Sequence, residues 1–297
     1  MSSTPRAVLV TRETDFERLL AAHATRGQAE FFLRSRNQKL ETLEATHHAI
    51  KKSVVAVRQQ LPDSWRVAYV QRKDLDRFLF APDDYIFAVG QDGLVANLAK
   101  YLDGQIVFGI NPVPNMFEGT LVQISVESVA DHLSSALRGR AKIEMRTMLE
   151  ARIEGGPNLF ALNEVFVGHR SHQSARYEIT FQEKREAQSS SGIIIATGTG
   201  ATGWAKSIMT ATYKNITVPP QDRRALFFAR EPWPSKTTGA DLAFGIVEPG
   251  NNMSILSNMN DGGVIFADGI EEDCLEFGWG KRLTVAIAAK TLNLVGK

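Results

Sequence analysis

The chain has 297 residues, 43% of them hydrophobic and 23% charged, with a formal net charge of +1. That length is a soft prior for two domains, and the near-neutral charge excludes a broad electrostatic footprint for nucleic acid or an anionic membrane surface. Cys274 is the only cysteine, which excludes an intramolecular disulfide and fits a reducing, cytoplasmic setting.

No stretch approaches the length of a membrane span. Met1 to Arg6 is polar, and Ala7 to Val10 is too short an apolar run for a signal peptide. Ala7 to Val10 instead reads as a first strand, buried on both faces. Asp15 to Ala22 reads as a short helix. Leu40, Leu43, His47, Ile50, Val54, Val57 and Leu61 recur at alternating spacings of three and four. That is one stripe on a helix ending before Pro62, and it packs inward or makes a subunit contact. His47 on that stripe reads as a satisfied core or interface histidine. Arg66 to Val70 and Tyr85 to Val89 are the next strands. Leu94 to Leu102 is a helix, and Gln105 to Ile110 a strand. This alternation predicts a parallel sheet covered by helices, with ligands at the carboxyl ends of its strands. Gly90 to Gly93 and Asn111 lie at such ends.

After Asn111 the rhythm changes. Val122 to Val126 reads as a strand and Val129 to Leu137 as a helix. Lys142 to Ile153 is mixed, and Gly155 to Asn158 is a turn before Leu159 to Val167. Tyr177 to Gln182 alternates with period two. Further strands are expected at Ala225 to Phe228, Met253 to Leu256, Val264 to Ala267 and Leu283 to Ala288. Short turns between strands argue a mainly antiparallel β domain. The expected division is an α/β nucleotide-binding domain over residues 1–120, a β-rich dinucleotide-binding domain over 121–280, and a C-terminal strand over 281–297. Whether that last strand returns to the first domain is open at this point.

The second half holds Ser191-Gly192-Ile193-Ile194-Ile195-Ala196-Thr197-Gly198-Thr199-Gly200-Ala201-Thr202-Gly203-Trp204. A buried strand at Ile193 to Ile195 meets a glycine turn, then a helix over Ala201 to Tyr213. Free N–H groups at such a junction suit a phosphate or a ribose hydroxyl. The glycines also spell the dinucleotide fingerprint, which needs a parallel unit around it and an acidic residue about 20 positions on. Asp222 is near that distance, but no parallel unit is apparent. A tight turn that packs helix on strand, an ordinary dinucleotide fold and a nucleotide site of another kind all stay open.

Three pieces stand in order: Gly90-Gln91-Asp92-Gly93, Ala161-Leu162-Asn163-Glu164-Val165, and Thr197 to Trp204. Asp268-Gly269 is a weaker fourth. Together they resemble the NAD kinase family, in a superfamily shared with diacylglycerol and sphingosine kinases. That family carries a Gly-Gly-Asp-Gly loop, an Asn-Glu or Asn-Asp pair and a Thr-Pro-Thr-Gly-Ser-Thr-Ala-Tyr stretch. The chain departs from these patterns in several places. Gln91 replaces a glycine and Leu94 a threonine. Gly198 stands for proline, Ala201 for serine, Gly203 for alanine, Trp204 for tyrosine and Ser191 for aspartate. Pro112, Val113 and Pro114 stand where glycines are usual, and the helical stretch between the first two strands is longer. The resemblance is therefore to a divergent member.

The resemblance implies a kinase that transfers a phosphoryl group from ATP, or another phosphate donor, to the adenosine ribose 2′-hydroxyl of NAD, with Mg²⁺. Asp92 would take the proton of the attacking hydroxyl. Gly90 and Gly93 would let backbone amides reach phosphates, with Asn111 alongside. Asn163 and Glu164 would bind ribose hydroxyls. Thr197, Thr199, Gly200, Thr202 and Gly203 would line the dinucleotide, and Trp204 would stack on a base. The site is expected between the two domains. The implied partners are small-molecule nucleotides and further copies of the chain, as a dimer or tetramer, with no nucleic acid and no membrane. A non-catalytic dinucleotide-binding homologue, and a kinase of the same fold acting on a sugar or lipid, are the alternatives.

Overall fold

The computed structural model describes residues 4–116 and 118–296. Met1 to Ser3, Phe117 and Lys297 lie outside the described residues. The chain forms two compact units, residues 1–144 with 293–297, and residues 145–292. Each is described by itself.

The first unit opens with β1 (Arg6–Thr11), whose four central residues are apolar and fully buried. Then come α1 (Asp15–Ala22), α2 (Arg26–Arg34) and α3 (Leu40–Gln59). The Thr14 hydroxyl accepts from the Glu17 N–H, and the Glu17 carboxylate accepts from the Thr14 N–H, a reciprocal cap that fixes where α1 begins. Only Ala29 and Leu33 of α2 are buried, so the sequence carries too weak a stripe to reveal it. Next are β2 (Arg66–Gln71), β3 (Tyr85–Val89), α4 (Asp92–Ala99), β4 (Ile106–Asn111), β5 (Ile124–Ser125) and α5 (Val129–Leu137). The strand order is β4-β3-β1-β2, all parallel, with β5 also parallel on β4. The expected parallel sheet is thus present. In register, the chain after Thr11, Val89 and Asn111 leaves the same end of the sheet.

Two boundaries differ from expectation for local reasons. The helix expected from Leu94 starts at Asp92, because a carboxylate in the first turn favours the positive end of the helix. The strand expected over Val122 to Val126 shrinks to Ile124–Ser125, because the Val122 N–H is bonded to the Asp92 carboxylate and not to a ladder.

The following strands are β6 (Ile143–Ile153), β7 (Asn158–Ala161), β8 (Glu164–His169), β9 (Ala175–Phe181) and β10 (Lys184–Ser190). Then β11 (Ile193–Thr197) leads through a short 3₁₀ turn at Gly200–Thr202 into α6 (Trp204–Ala211). The helix expected over Ala201 to Tyr213 is therefore shorter; Tyr213 lies outside it, left-handed at φ 54°. The remaining strands are β12 (Ala225–Ala229), β13 (Phe244–Val247), β14 (Met253–Ser257), β15 (Gly263–Ala267), β16 (Ile270–Glu276) and β17 (Arg282–Val295).

In the second unit, β13-β12-β11-β8-β15-β16 form an antiparallel sheet, and β10-β9-β14-β17 run antiparallel in another. Inward side chains of both, among them Tyr177, Ile179, Ile255, Val285, Val167, Ile195 and Phe227, fill one core. The outer face of the first of these sheets is covered by α6 through Ala205 and Met209. Asn293 and Leu294, at the end of β17, pair in parallel with Ile106 and Val107 of β4, so the last strand does return to the first unit's sheet. Among the described residues, no helix is long and apolar enough to cross a membrane.

Candidate functional site

In the first unit, the loop after β3 holds Gly90, Gln91, Asp92 and Gly93. The Gly90 N–H donates to the Ile110 carbonyl at 3.0 Å, which seats the loop on the end of β4. A Cβ at Gly90 would lie 2.9 Å from Leu94 Cδ2, so the packing of α4 already favours glycine there. Gly93 differs. A Cβ there would meet nothing within 4 Å, so the fold itself does not demand glycine, and the space above this backbone is open.

Asp92 is engaged on both carboxylate oxygens. Oδ1 accepts from the Leu121 N–H at 2.8 Å and the Val122 N–H at 3.2 Å, and Oδ2 accepts from the Thr120 N–H at 2.9 Å. The carboxylate therefore organises the segment that follows the Pro112 to Pro114 run. That segment is itself wedged in: a Cβ on Gly109 would sit 1.9 Å from the Leu121 carbonyl oxygen. Asn111 is buried, and its Oδ1 accepts from the Val113 N–H at 3.0 Å. On the other side, Arg12 at the end of β1 donates from Nη2 to Gln91 Oε1 at 2.9 Å.

In the second unit, the turn at Leu162-Asn163 is clamped from two directions. The Thr197 hydroxyl donates to the Leu162 carbonyl at 2.5 Å, and the Thr197 N–H donates to the Asn163 carbonyl at 2.9 Å. The same hydroxyl oxygen accepts from the Thr199 N–H at 3.1 Å and the Gly200 N–H at 3.3 Å. Thr197, fully buried, is thus committed to the turn. Gly200 is required by contact, because a Cβ would lie 2.1 Å from the Asn163 carbonyl oxygen; at Gly198 it would lie 2.2 Å from the Pro219 carbonyl oxygen. The Thr202 hydroxyl donates to the Thr199 carbonyl at 2.9 Å. Thr199 Oγ1 is buried and has no hydrogen-bond partner, a costly state for a hydroxyl.

From the other direction comes Asp268, at left-handed φ 55°. Its Oδ1 accepts from the Asn163 N–H at 2.6 Å and its Oδ2 from the Leu162 N–H at 3.2 Å. The Asp268 N–H donates to the Glu164 carbonyl at 2.9 Å. Glu164 is 9% exposed. Burial first, and then the nearby Asp268 charge, push its carboxyl up to about 7.

Trp204 stacks on Phe166 with ring centroids 5.8 Å apart, and the Arg230 guanidinium sits 5.3 Å above its ring. It lines a cavity of about 460 Å³ together with His169, Ser191 and Phe266. His169 leaves β8 at the end opposite Glu164, so this cavity opens toward the far end of the strand from the Asn163 turn.

β11, which leads into the glycine turn, runs antiparallel to both neighbours, and Asp222 pairs with Arg224 at 2.9 Å. The ordinary dinucleotide reading of the glycines is thereby excluded. Arg12 had no expected site role, being legible only as a cation after a buried strand, and Asp268, expected only as a weaker fourth motif piece, gains its role from partners far away in the sequence.

No profile of a known protein family matches the chain. The chain is 26% identical to rat (Rattus norvegicus) mitochondrial NAD kinase 2 over 255 residues, 68% of this chain and 60% of that protein. It is 30% identical to the NAD kinase of Chlorobaculum tepidum over 127 residues, 42% of this chain and 44% of that protein. The chain thus spans from under half to about 60% of the length of these relatives. In fold it is similar to yeast NADH kinase solved with NADH, with a TM-score of 0.62 at 15% identity, covering 100% of this chain and 84% of that one. It is also similar to an NAD kinase from Archaeoglobus fulgidus solved with ATP, with a TM-score of 0.59 at 19% identity, covering 98% and 93%. The chain is thus similar in sequence to NAD kinases over part of its length, and in fold to solved NAD and NADH kinases.

Proposed function

We propose that the chain transfers a phosphoryl group from ATP, or another phosphate donor, to the adenosine ribose 2′-hydroxyl of NAD, giving NADP. One observation carries this reading furthest. The Asn163–Glu164 turn is locked by Thr197 and Asp268, and it lies beside Thr199 Oγ1, a buried oxygen without a partner. A rigid turn with an amide, a carboxyl and an unpaired hydroxyl suits vicinal ribose hydroxyls, which both donate and accept.

In this reading Asp92 takes the proton from the attacking hydroxyl. Phosphoryl transfer asks the protein mainly for alignment and charge neutralisation, with one base. The backbone at Gly93, open above, faces donor phosphates with Gly90. Asn111 holds the adjoining strand end, and Gly200, Thr202 and Gly203 shape the dinucleotide side; Trp204, stacked on Phe166 under Arg230, lines the cavity at the other end of β8, which a base would have to reach to meet its ring. Among the described residues no group of three or more His, Cys, Asp or Glu could hold a metal ion. The residues therefore do not form a protein cage for Mg²⁺, which in phosphotransferases commonly arrives on the substrate phosphates. We further propose a cytoplasmic homo-oligomer, a dimer or a tetramer.

A second reading, a non-catalytic dinucleotide-binding homologue, is favoured by one specific observation: both oxygens of Asp92 are occupied by backbone N–H groups. Incubating the purified protein with NAD, ATP and Mg²⁺ decides. NADP formation removes the second reading, and NAD binding without product supports it.

A further inference from the structure

The long helix α3 is tied to the segment that runs from β4 to α5. The stripe read on α3 packs inward at its C-terminal end. There Val57 and Leu61 share a core with Ile124, Val129 and Leu133, and Val54 and Val126 pack against it. His47, further back on the stripe, is a partnered histidine, with Nδ1 2.9 Å from Thr14 Oγ1. Two polar ties reach the two ends of the segment. At one end, the buried Ser53 hydroxyl lies 3.2 Å from the Pro112 carbonyl, shared with the Ala49 carbonyl of its own helix at 2.9 Å. At the other end, the side-chain amide of Gln60, directly after α3, works in both directions. Its Nε2 donates to the Val126 carbonyl at 2.6 Å, and its Oε1 accepts from the Ala130 N–H at 3.1 Å.

Ala130 lies in the first turn of α5, where N–H groups have no acceptor within the helix, and Ser128 at the N-cap supplies no side-chain bond. Gln60 therefore caps α5 from 70 positions earlier in the chain. The same segment is the one that holds Asp92. Thr120, Leu121 and Val122 give their N–H groups to its carboxylate. Only Gln123 to Ser125 separate Val122 from Val126, and Ile124–Ser125 of that stretch is β5. A tie at Val126 thus acts close to the N–H groups that aim the carboxylate. Phosphoryl transfer depends on alignment, and a displacement of about 1 Å can cost a hundredfold in rate.

We propose that Gln60 is a positioning residue for Asp92: by holding Val126 and Ala130 it fixes the Thr120 to Val122 backbone, and through it the carboxylate, so that α3 braces the base of the first unit. The proposal rests on the phosphotransferase reading for its effect on turnover, and on the hydrogen bonds alone for the brace.

The test uses Gln60→Met in the full chain, which keeps the length of the side chain and removes both bonds. Native-state hydrogen exchange, read residue by residue, should show the Leu121 and Val122 amides exchanging about tenfold faster, with the amides of β1 and β3 unchanged. In steady-state NADP formation, kcat should fall about tenfold while KM for NAD stays within about twofold. Added to Asp92→Asn, the same substitution should change kcat by less than about twofold, because an effect carried by Asp92 disappears once Asp92 no longer acts. The brace is overturned if Leu121 and Val122 exchange as in wild type, or if β1 and β3 accelerate equally, which would make Gln60 a general stability residue. It is also overturned if Gln60→Met lowers kcat as much in the Asp92→Asn background as in wild type. If Gln60→Met fails to fold in a thermal melt, Gln60→Glu takes its place with the same expectations, since it keeps the acceptor for Ala130 and loses the donor to Val126. A wild-type chain that forms no NADP removes the NAD kinase reading, and the exchange measurement then decides the brace by itself.

Discussion

The Asp268 carboxylate holds the backbone N–H of Asn163 at 2.6 Å across 105 positions of sequence. The same carboxylate accepts from the Leu162 N–H, and the Asp268 N–H returns a bond to Glu164. One residue therefore sets the backbone path through the Asn163–Glu164 pair. Asp268→Ala removes the acceptor and keeps a left-handed backbone that alanine tolerates poorly. It should cost about 2–4 kcal/mol of stability. Asp268→Asn, which tolerates that backbone and keeps one acceptor, should cost less. Urea unfolding of the two variants measures this, and a loss below about 0.5 kcal/mol in Asp268→Ala would show that the turn holds without the carboxylate.

Glu164 should make stability depend on pH. Its carboxyl is raised from an ordinary 4.5 to about 7 by burial and by Asp268. Raising an acid's folded-state value means that the native state holds the proton longer than the unfolded chain does. The stabilisation is therefore fully present below about 4.5 and is lost as pH rises to about 7, after which it levels off. The loss is on the order of 3 kcal/mol. Glu164→Gln, which cannot titrate, should flatten that part of the stability profile. The same ionisation should strengthen NAD binding as pH rises through 7 in wild type and not in the variant. A variant whose stability profile overlays that of wild type would count against a titrating Glu164.

Asp92→Asn separates a base from a loop anchor. The amide keeps one acceptor where the carboxylate has two, so at least one of the three backbone bonds is lost, at about 1–3 kcal/mol. If Asp92 is also the base, kcat should fall by about a hundred- to ten-thousand-fold while NAD affinity stays within a few-fold. Steady-state kinetics beside a thermal melt resolve the two effects. Reduced stability with undiminished turnover would leave Asp92 as an anchor only.

Gly93 and Gly200 should respond in opposite ways to alanine. Gly93 lies in the first turn of α4 with open space around it, and alanine is the better helix former by up to about 1 kcal/mol. Gly93→Ala should therefore keep or raise the melting temperature, and it should weaken binding of ATP if phosphate approaches that backbone. Gly200→Ala would drive a methyl to 2.1 Å from the Asn163 carbonyl oxygen and should lower the melting temperature sharply. Undisturbed ATP binding by Gly93→Ala would place the phosphates elsewhere.

Trp204 offers an optical readout. Of the four tryptophans, it is the one stacked on Phe166 beneath Arg230. If NAD reaches its ring, titration should change tryptophan emission, and Trp204→Phe should remove most of that change. An undiminished change in the variant would put the ligand away from the Phe166 face.

The runs that identify β1, β3 and β11 are apolar on both faces, so strand type was legible from composition alone. The same holds for the period of α1 and α5, and for the three motifs in order. Strand β10 was not legible: it is polar, and its hairpin turns through Gln182 and Glu183, both left-handed, where glycine or asparagine would have marked the bend. The roles of Gly198 and Gly200 were hidden for a different reason. A glycine in a motif can serve a ligand or a crossing backbone, and only the positions of Pro219 and Asn163 tell which. Periodicity reports what each residue does within its own element, because burial repeats with the turn of a helix or the pleat of a strand. It carries no information on which distant N–H meets a given carboxylate. Asp92 on Thr120 to Val122, Asp268 on Leu162 and Asn163, and Gln60 on Val126 and Ala130 were therefore decided by the tertiary structure, where loop packing brings together groups that local preference leaves independent.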